Sequence, residues 1–244
     1  MNTTPLAASA AAPGRARAAP YGYADLPGLI ALMTGDSKHD AAAESTLDVL
    51  WVLYDRVLRV SPGTFGDDAR DRFLLSKGHG PMAYYAVLAA KGFLDPAELP
   101  SYGGFGSPLG QHPDRNLIPG AEISSGSLGH GLPLAAGTAL GLRARGLTAA
   151  RVFVLIGDGE LDEGSNHEAI AFARAARLDA LHVVVVDNSS STHGWPGGIG
   201  ARFATEGWSV RRVPGRDHAA LGAALTARHP GRPHAVVAVT GPKG

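Results

Sequence analysis

The 244-residue sequence has no cysteine, which excludes disulfides, thiolate nucleophiles and cysteine-ligated zinc and is compatible with a cytoplasmic location. It has no excess of either charge. Its 22 Lys and Arg balance 22 Asp and Glu, so the net charge gives no reason to expect nucleic acid or an anionic membrane as a partner. No apolar run is long enough to cross a bilayer. Acidic residues are missing from positions 1–20, which are Ala-rich with two arginines. No apolar stretch follows a basic start there, so a secretory signal does not fit and a disordered tail is expected over 1–20. Residues 21–244 show no internal repeat and no linker and read as one domain, with 45% apolar residues to build a core.

The chemistry concentrates between Gly157 and Asn188. An apolar run, Val152 to Ile156, leads into Gly-Asp-Gly-Glu; a helical stretch follows; a second apolar run ends in Asp187-Asn188. Strand, turn, helix and strand in that order place Asp158 and Asn188 at the carboxyl ends of two parallel strands, the edge where such sheets bind ligands. A carboxylate and an amide oxygen are hard ligands suited to Mg²⁺ or Ca²⁺ carrying a phosphorylated cofactor. Gly157 and Gly159 allow a sharp turn and close backbone approach.

Periodicity predicts helices over 41–60, 81–91 with Pro81 in its first turn, 126–145, 165–177 and 217–228. Strands are predicted at 151–156, 181–187, 208–213 and 234–240. The alternation implies an α/β fold, a parallel sheet flanked by helices. Glycines at 126, 129, 131, 137 and 141 weaken the helix predicted at 126–145, so that helix is expected to pack closely on another backbone or a ligand. Residues 93–123 lack periodicity but carry aromatics and His, which favours a functional loop. His39, His79 and His112 lie in Gly-rich or irregular settings, whereas His182, His218, His229 and His234 read as structural.

Four segments, in order, resemble transketolase: S-K-G-H-G-P around His79, H-P-D-R-N-L-I-P-G from His112, G-S-L-G-H-G from Gly126, and G-D-G…N. The resemblance runs from about residue 30 to 240 and is to the amino-terminal, diphosphate-binding domain, encoded as a separate subunit in some bacteria. It implies the thiamine diphosphate-binding fold, with thiamine diphosphate and Mg²⁺ (or Ca²⁺) as cofactors. Asp158, Asn188 and the Ser190 carbonyl would hold the metal. His79 and the backbone around Gly157 and Gly159 would meet the diphosphate, with Glu160 beside that turn. Gly126, Ser127 and Leu128 would meet the cofactor's other end. His39 and His112, with His79, would line the catalytic channel and assist proton transfers. The activity implied is transfer of a two-carbon ketol unit from a ketose to an aldehyde.

The glutamate that contacts the cofactor's pyrimidine lies, in transketolases, in the following domain. The resemblance therefore implies a separate partner subunit carrying the pyrimidine-binding and carboxyl-terminal domains, in an α2β2 assembly, with a small sugar or ketose-like substrate. Three departures stand out: Lys38-His39-Asp40-Ala41 replaces the family's G-H-P-G, G-S-L-G replaces G-P-L-G, and the sequence given ends without the family's downstream histidine segment. A role for His193 and Trp195, after Asn188, is left open. So are two alternatives to the ketol transferase: an α-type subunit of a 2-oxo acid decarboxylase or dehydrogenase, which shares G-D-G…N, and a catalytically silent binding partner. A nicotinamide-binding domain is disfavoured, because G-D-G-E-L-D does not satisfy G-x-G-x-x-G.

Overall fold

Strand β2 (Val152–Gly157) is apolar at every position because both of its faces are covered. Phe153 and Leu155 point into one core, while Val152, Val154 and Ile156 point into another, as the two-residue period of a strand requires. In the computed structural model, which describes residues 21–34 and 40–241, β2 belongs to a five-stranded parallel sheet. The others are β1 (Arg72–Leu75), β3 (Leu181–Asp187), β4 (Ser209–Pro214) and β5 (His234–Val239), in the order β1-β2-β3-β5-β4. The register sets Gly157 opposite Val186, so β2 and β3 end side by side.

Helices α1 (Leu26–Ala31), α2 (Asp40–Val52), α3 (Met82–Ala90) and α7 (His218–Leu225) cover the first face; α4 (Gly131–Ala144), α5 (Gly164–Ala175) and α6 (Ile199–Thr205) cover the second. All nine residues of α3 are buried, which explains its uniformly apolar sequence. The α/β architecture matches the expectation, with three differences in detail. β1 was not anticipated, because four residues are too few to show a period. α1 and α6, of six and seven residues, were also missed, being under two turns long. The helix expected over 126–145 begins only at Gly131, because Gly126 and Gly129 hold φ of +156° and +84°, outside the helical region.

At the amino ends of β1 and β2, the buried Asp71 carboxylate accepts from the guanidinium groups and backbone N–H groups of both Arg59 and Arg151. Burial pushes its pKa up, but these hydrogen bonds prevail and hold it at about 2. At the same end of the sheet, His182 stacks on Phe153 at 4.3 Å and meets His229 edge-on at 4.6 Å. His234, fully buried, faces the Ala224 carbonyl through Nε2 at 3.0 Å. Burial keeps His182 well below the usual imidazole range and brings His234 down to about 4. These histidines therefore pack at the amino end of the sheet, opposite the G-D-G edge.

Candidate active site

Asp158 follows β2 and is 1% exposed. Its Oδ1 accepts from Gly159 N–H at 2.9 Å and from the Ser190 hydroxyl at 2.5 Å. Its Oδ2 accepts from Ser190 N–H at 2.7 Å and Ser191 N–H at 3.2 Å. The carboxylate thus clips the loop after β3 onto the turn after β2. Asn188, in that loop, is 2% exposed and directs Nδ2 to Ser45 Oγ at 3.5 Å. Its Oδ1 is buried with no hydrogen-bond partner among the described residues, an unusual state for an amide oxygen. The Ser190 carbonyl lies 3.4 Å from where a Cβ on Gly159 would sit, which places it directly against the G-D-G turn.

One carboxylate, one orphaned amide oxygen and one backbone carbonyl therefore collect at the carboxyl edge of two adjacent strands. Among the described residues no group of three His, Cys, Asp or Glu side chains is arranged to hold a metal. A cation at this edge would rest on mixed oxygen donors, which suits Mg²⁺ or Ca²⁺ and not a soft metal.

Glu160 is 2% exposed and turned inward. Its Oε1 accepts from the Ser76 hydroxyl and from Gly129 N–H at 2.9 Å, and its Oε2 accepts from Gly157 N–H at 3.2 Å. Ser76 Oγ accepts in turn from Gly131 N–H at 2.9 Å. Burial raises the Glu160 carboxyl pKa, and these hydrogen bonds with the nearby Lys77 ammonium act against the rise. The Gly157 N–H expected to meet a phosphate is thus engaged by Glu160, and that of Gly159 by Asp158.

The S-K-G-H-G loop follows β1. A Cβ on its Gly78 would fall 2.2 Å from Ser125 Oγ, so this loop presses directly on the residue before G-S-L-G. A cavity of about 190 Å³, lined among others by Ser76, Ser125, Gly126, Ser127, His130 and Gly131, opens beside them. Ser125 Oγ is buried there without a partner among the described residues. The exposed His112 lies against the same loop, its ring 3.7 Å from the Cβ position of Gly126. His79 is partly buried in its loop, and Leu128 is partly buried in G-S-L-G. His39 lies outside the described residues.

The structure thus brings Gly126, Ser127, His112 and the G-D-G turn to one edge. It adds Ser45, Ser76 and Lys77, which motif reading passed over. Lys77 is 5% exposed, with Nζ 3.5 Å from Ser45 Oγ and its Cδ 3.2 Å from the Cβ position of Gly157. Its adjacency to Gly-His-Gly was the available signal. For Ser45, in the middle of α2, there was none.

Residues 29–240 match the family described as transketolase, thiamine diphosphate binding domain. The chain belongs to this family. Its relatives include one of the subunits of the apulose-4-phosphate transketolase of Actinobacillus succinogenes, 36% identical over 209 residues, covering 83% of this chain and 75% of that protein. Another is 6-deoxy-6-sulfo-D-fructose transketolase subunit SqwG of a Clostridium strain, 35% identical, covering 73% and 67%. A protein named ferredoxin fas2, from Rhodococcoides fascians, is 60% identical over 218 residues, covering 89% of this chain and 72% of that protein.

Among solved structures, a Pichia stipitis transketolase complex with sedoheptulose-7-phosphate superposes with a TM-score of 0.69 at 26% identity, over 83% of this chain and 36% of that one. The chain therefore spans about a third of a whole transketolase. The fold is that of the thiamine diphosphate-binding domain, and the protein is a transketolase-like transferase.

Proposed function

We propose that this chain is the diphosphate-binding subunit of a two-component, thiamine diphosphate- and Mg²⁺-dependent transketolase that moves a two-carbon ketol unit between a ketose-like donor and an aldehyde acceptor. The observation that carries the reading is the orphaned Asn188 Oδ1 beside Asp158 and the Ser190 carbonyl. A buried amide oxygen without a donor costs about 1–3 kcal/mol unless a ligand fills its place, and a hard cation does so. These three residues would hold Mg²⁺ (or Ca²⁺). His79, with the cation held beside the G-D-G turn, would bind the diphosphate end of the cofactor, and Gly126 to Leu128 its other end, beside the cavity at Ser125.

Bound thiamine diphosphate supplies the carbon nucleophile and electron sink for ketol transfer. This chain's part is to hold and orient that group and to keep water from its buried end. His112, adjacent to the G-S-L-G loop, and His39 would donate hydrogen bonds to substrate hydroxyls and to the oxygen that gains charge, and would carry protons there.

The partner would be a separate subunit bringing the pyrimidine-binding domain, as the names of the relatives suggest, in an α2β2 complex in the cytoplasm. A bare helix face supports it. On α4, nothing lies within 4 Å of the Cβ positions of Gly137 and Gly141, Leu134 is 50% exposed, and Phe172 of α5 is 48% exposed. Ferredoxin chemistry is not extended to this chain, because a cysteine-free sequence offers no thiolates for an iron–sulfur cluster.

The test is the thiamine diphosphate and Mg²⁺ content of the tagged chain purified from its native cells, with co-purifying proteins identified. Cofactor together with a second, transketolase-type polypeptide supports the proposal. Absence of both overturns it in favour of a silent partner.

A further inference from the structure

Glu160 makes one junction of segments far apart in sequence. Its carboxylate takes hydrogen bonds from Ser76 at the end of β1, from Gly129 at the end of G-S-L-G, and from Gly157 at the start of G-D-G. Ser76 then receives Gly131 N–H, the first turn of α4. The Glu160 carbonyl accepts from Asn166 Nδ2 at 2.6 Å, and Ser165 Oγ donates to the Gly129 carbonyl at 2.7 Å, so the start of α5 joins the same network. Close packing leaves little slack. A Cβ on Gly131 would fall 2.2 Å from Ser76 Oγ, and one on Gly129 would fall 2.7 Å from Glu163 Cβ.

On the reading of the site proposed above, Gly129 belongs to the loop at one end of the cofactor and Gly157 to the turn at the other. We infer that Glu160 is a positioning residue: its inward carboxylate fixes the spacing between these two half-sites, and its side chain does not touch the cofactor. A carboxylate is required because three donors converge on its two oxygens, and it accepts at both. Glutamine keeps the shape but must turn an NH₂ group either toward Gly157 N–H or toward the Ser76 and Gly129 pair.

The role separates from direct binding by the size of the ligand. A residue that sets the distance between half-sites matters to a ligand that spans both and not to one that occupies a single half. The experiment titrates thiamine diphosphate and, separately, inorganic pyrophosphate, each with Mg²⁺, into the chain assembled with its co-purified partner, by calorimetry. Glu160→Gln is expected to weaken thiamine diphosphate about tenfold or more while moving pyrophosphate less than about twofold. Ser76→Ala, a smaller change that keeps the fold if Glu160→Gln does not, is expected to show the same pattern at lower amplitude. The double variant is expected to fall short of the sum, because both belong to one network.

Parallel weakening of both ligands would show that the carboxylate acts on the diphosphate turn itself and would overturn the inference. So would unchanged thiamine diphosphate affinity in both variants, which leaves the proposed function standing. Failure of the unsubstituted complex to bind either ligand removes the functional reading first, and the inference with it.

Discussion

Replacing Asp158 separates a structural duty from a metal-binding one. Alanine removes the acceptor for Ser190 N–H, Ser191 N–H and the Ser190 hydroxyl, which now hold the loop after β3. Ser190 is exposed, so water replaces part of what is lost, and each backbone N–H contributes toward the low end of about 1–3 kcal/mol. Asp158→Ala should therefore lose about 2 kcal/mol in urea unfolding. Asparagine, with its oxygen in the Oδ2 position, keeps both loop N–H bonds and lets its amide donate to Ser190 Oγ but gives up the bond from Gly159 N–H, so it should lose about 1 kcal/mol, less than alanine. Both variants remove the only charged member of the proposed oxygen set. Each should lower Mg²⁺-dependent thiamine diphosphate binding by more than the about 10–100-fold that outer-shell partners contribute. The assays are urea melts of the full chain and Mg²⁺ titrations of the assembled complex. If Asp158→Asn kept its Mg²⁺ dependence while losing as much stability as alanine, Asp158 would be a loop clip alone, and the metal assignment would fail.

Three further outcomes follow from the same geometry. Asp71→Ala strips two arginines of a fully buried partner and should cost about 3 kcal/mol, the lower end for a broken buried pair because Arg59 remains half in solvent; a loss under about 1 kcal/mol would refute its role in joining Arg59 and Arg151. His234 titrates at about 4 in the folded chain against 6.5 as its ordinary value, and His182 is depressed in the same direction. Their contribution to stability is complete above pH 6.5 and is lost as pH falls toward 4, with a limiting slope of about 1.4 kcal/mol per pH unit for each; a flat urea midpoint between pH 7 and 5 would contradict this. Gly137→Ala and Gly141→Ala, on the open face of α4, should each raise the stability of the isolated chain by up to about 1 kcal/mol yet weaken assembly with the partner, and unchanged assembly would place the interface elsewhere.

The sheet and its site edge were legible because β2 and β3 carry apolar runs that end in Gly-Asp-Gly and Asp-Asn, and such runs arise when both faces of a parallel strand are buried. The true start of α4 was not legible. Small residues from 126 to 145 look continuous in composition, while the break depends on backbone angles at Gly126 and Gly129 that composition does not report. Glu160 shows the same limit within the site. Its place beside G-D-G was apparent, but the direction of its side chain depends on Ser76 and Gly129, 84 and 31 residues away. Motifs mark which residues approach the ligand edge; they carry little information about which atoms turn away from it.

Strand β4, like β1 at the opposite margin of the sheet, is paired on one side only among the described residues. An open margin invites further strands, including those of other copies emerging from synthesis. Here the two central positions of the strand are the exposed Arg211 and Arg212, and the strand ends at Pro214, which has no N–H to donate. Two such margins brought together would set guanidinium against guanidinium and break the ladder at its last rung. The strand therefore closes this margin against growth by its charge and its last residue, so that a partner meeting the molecule on this side would find little to pair with.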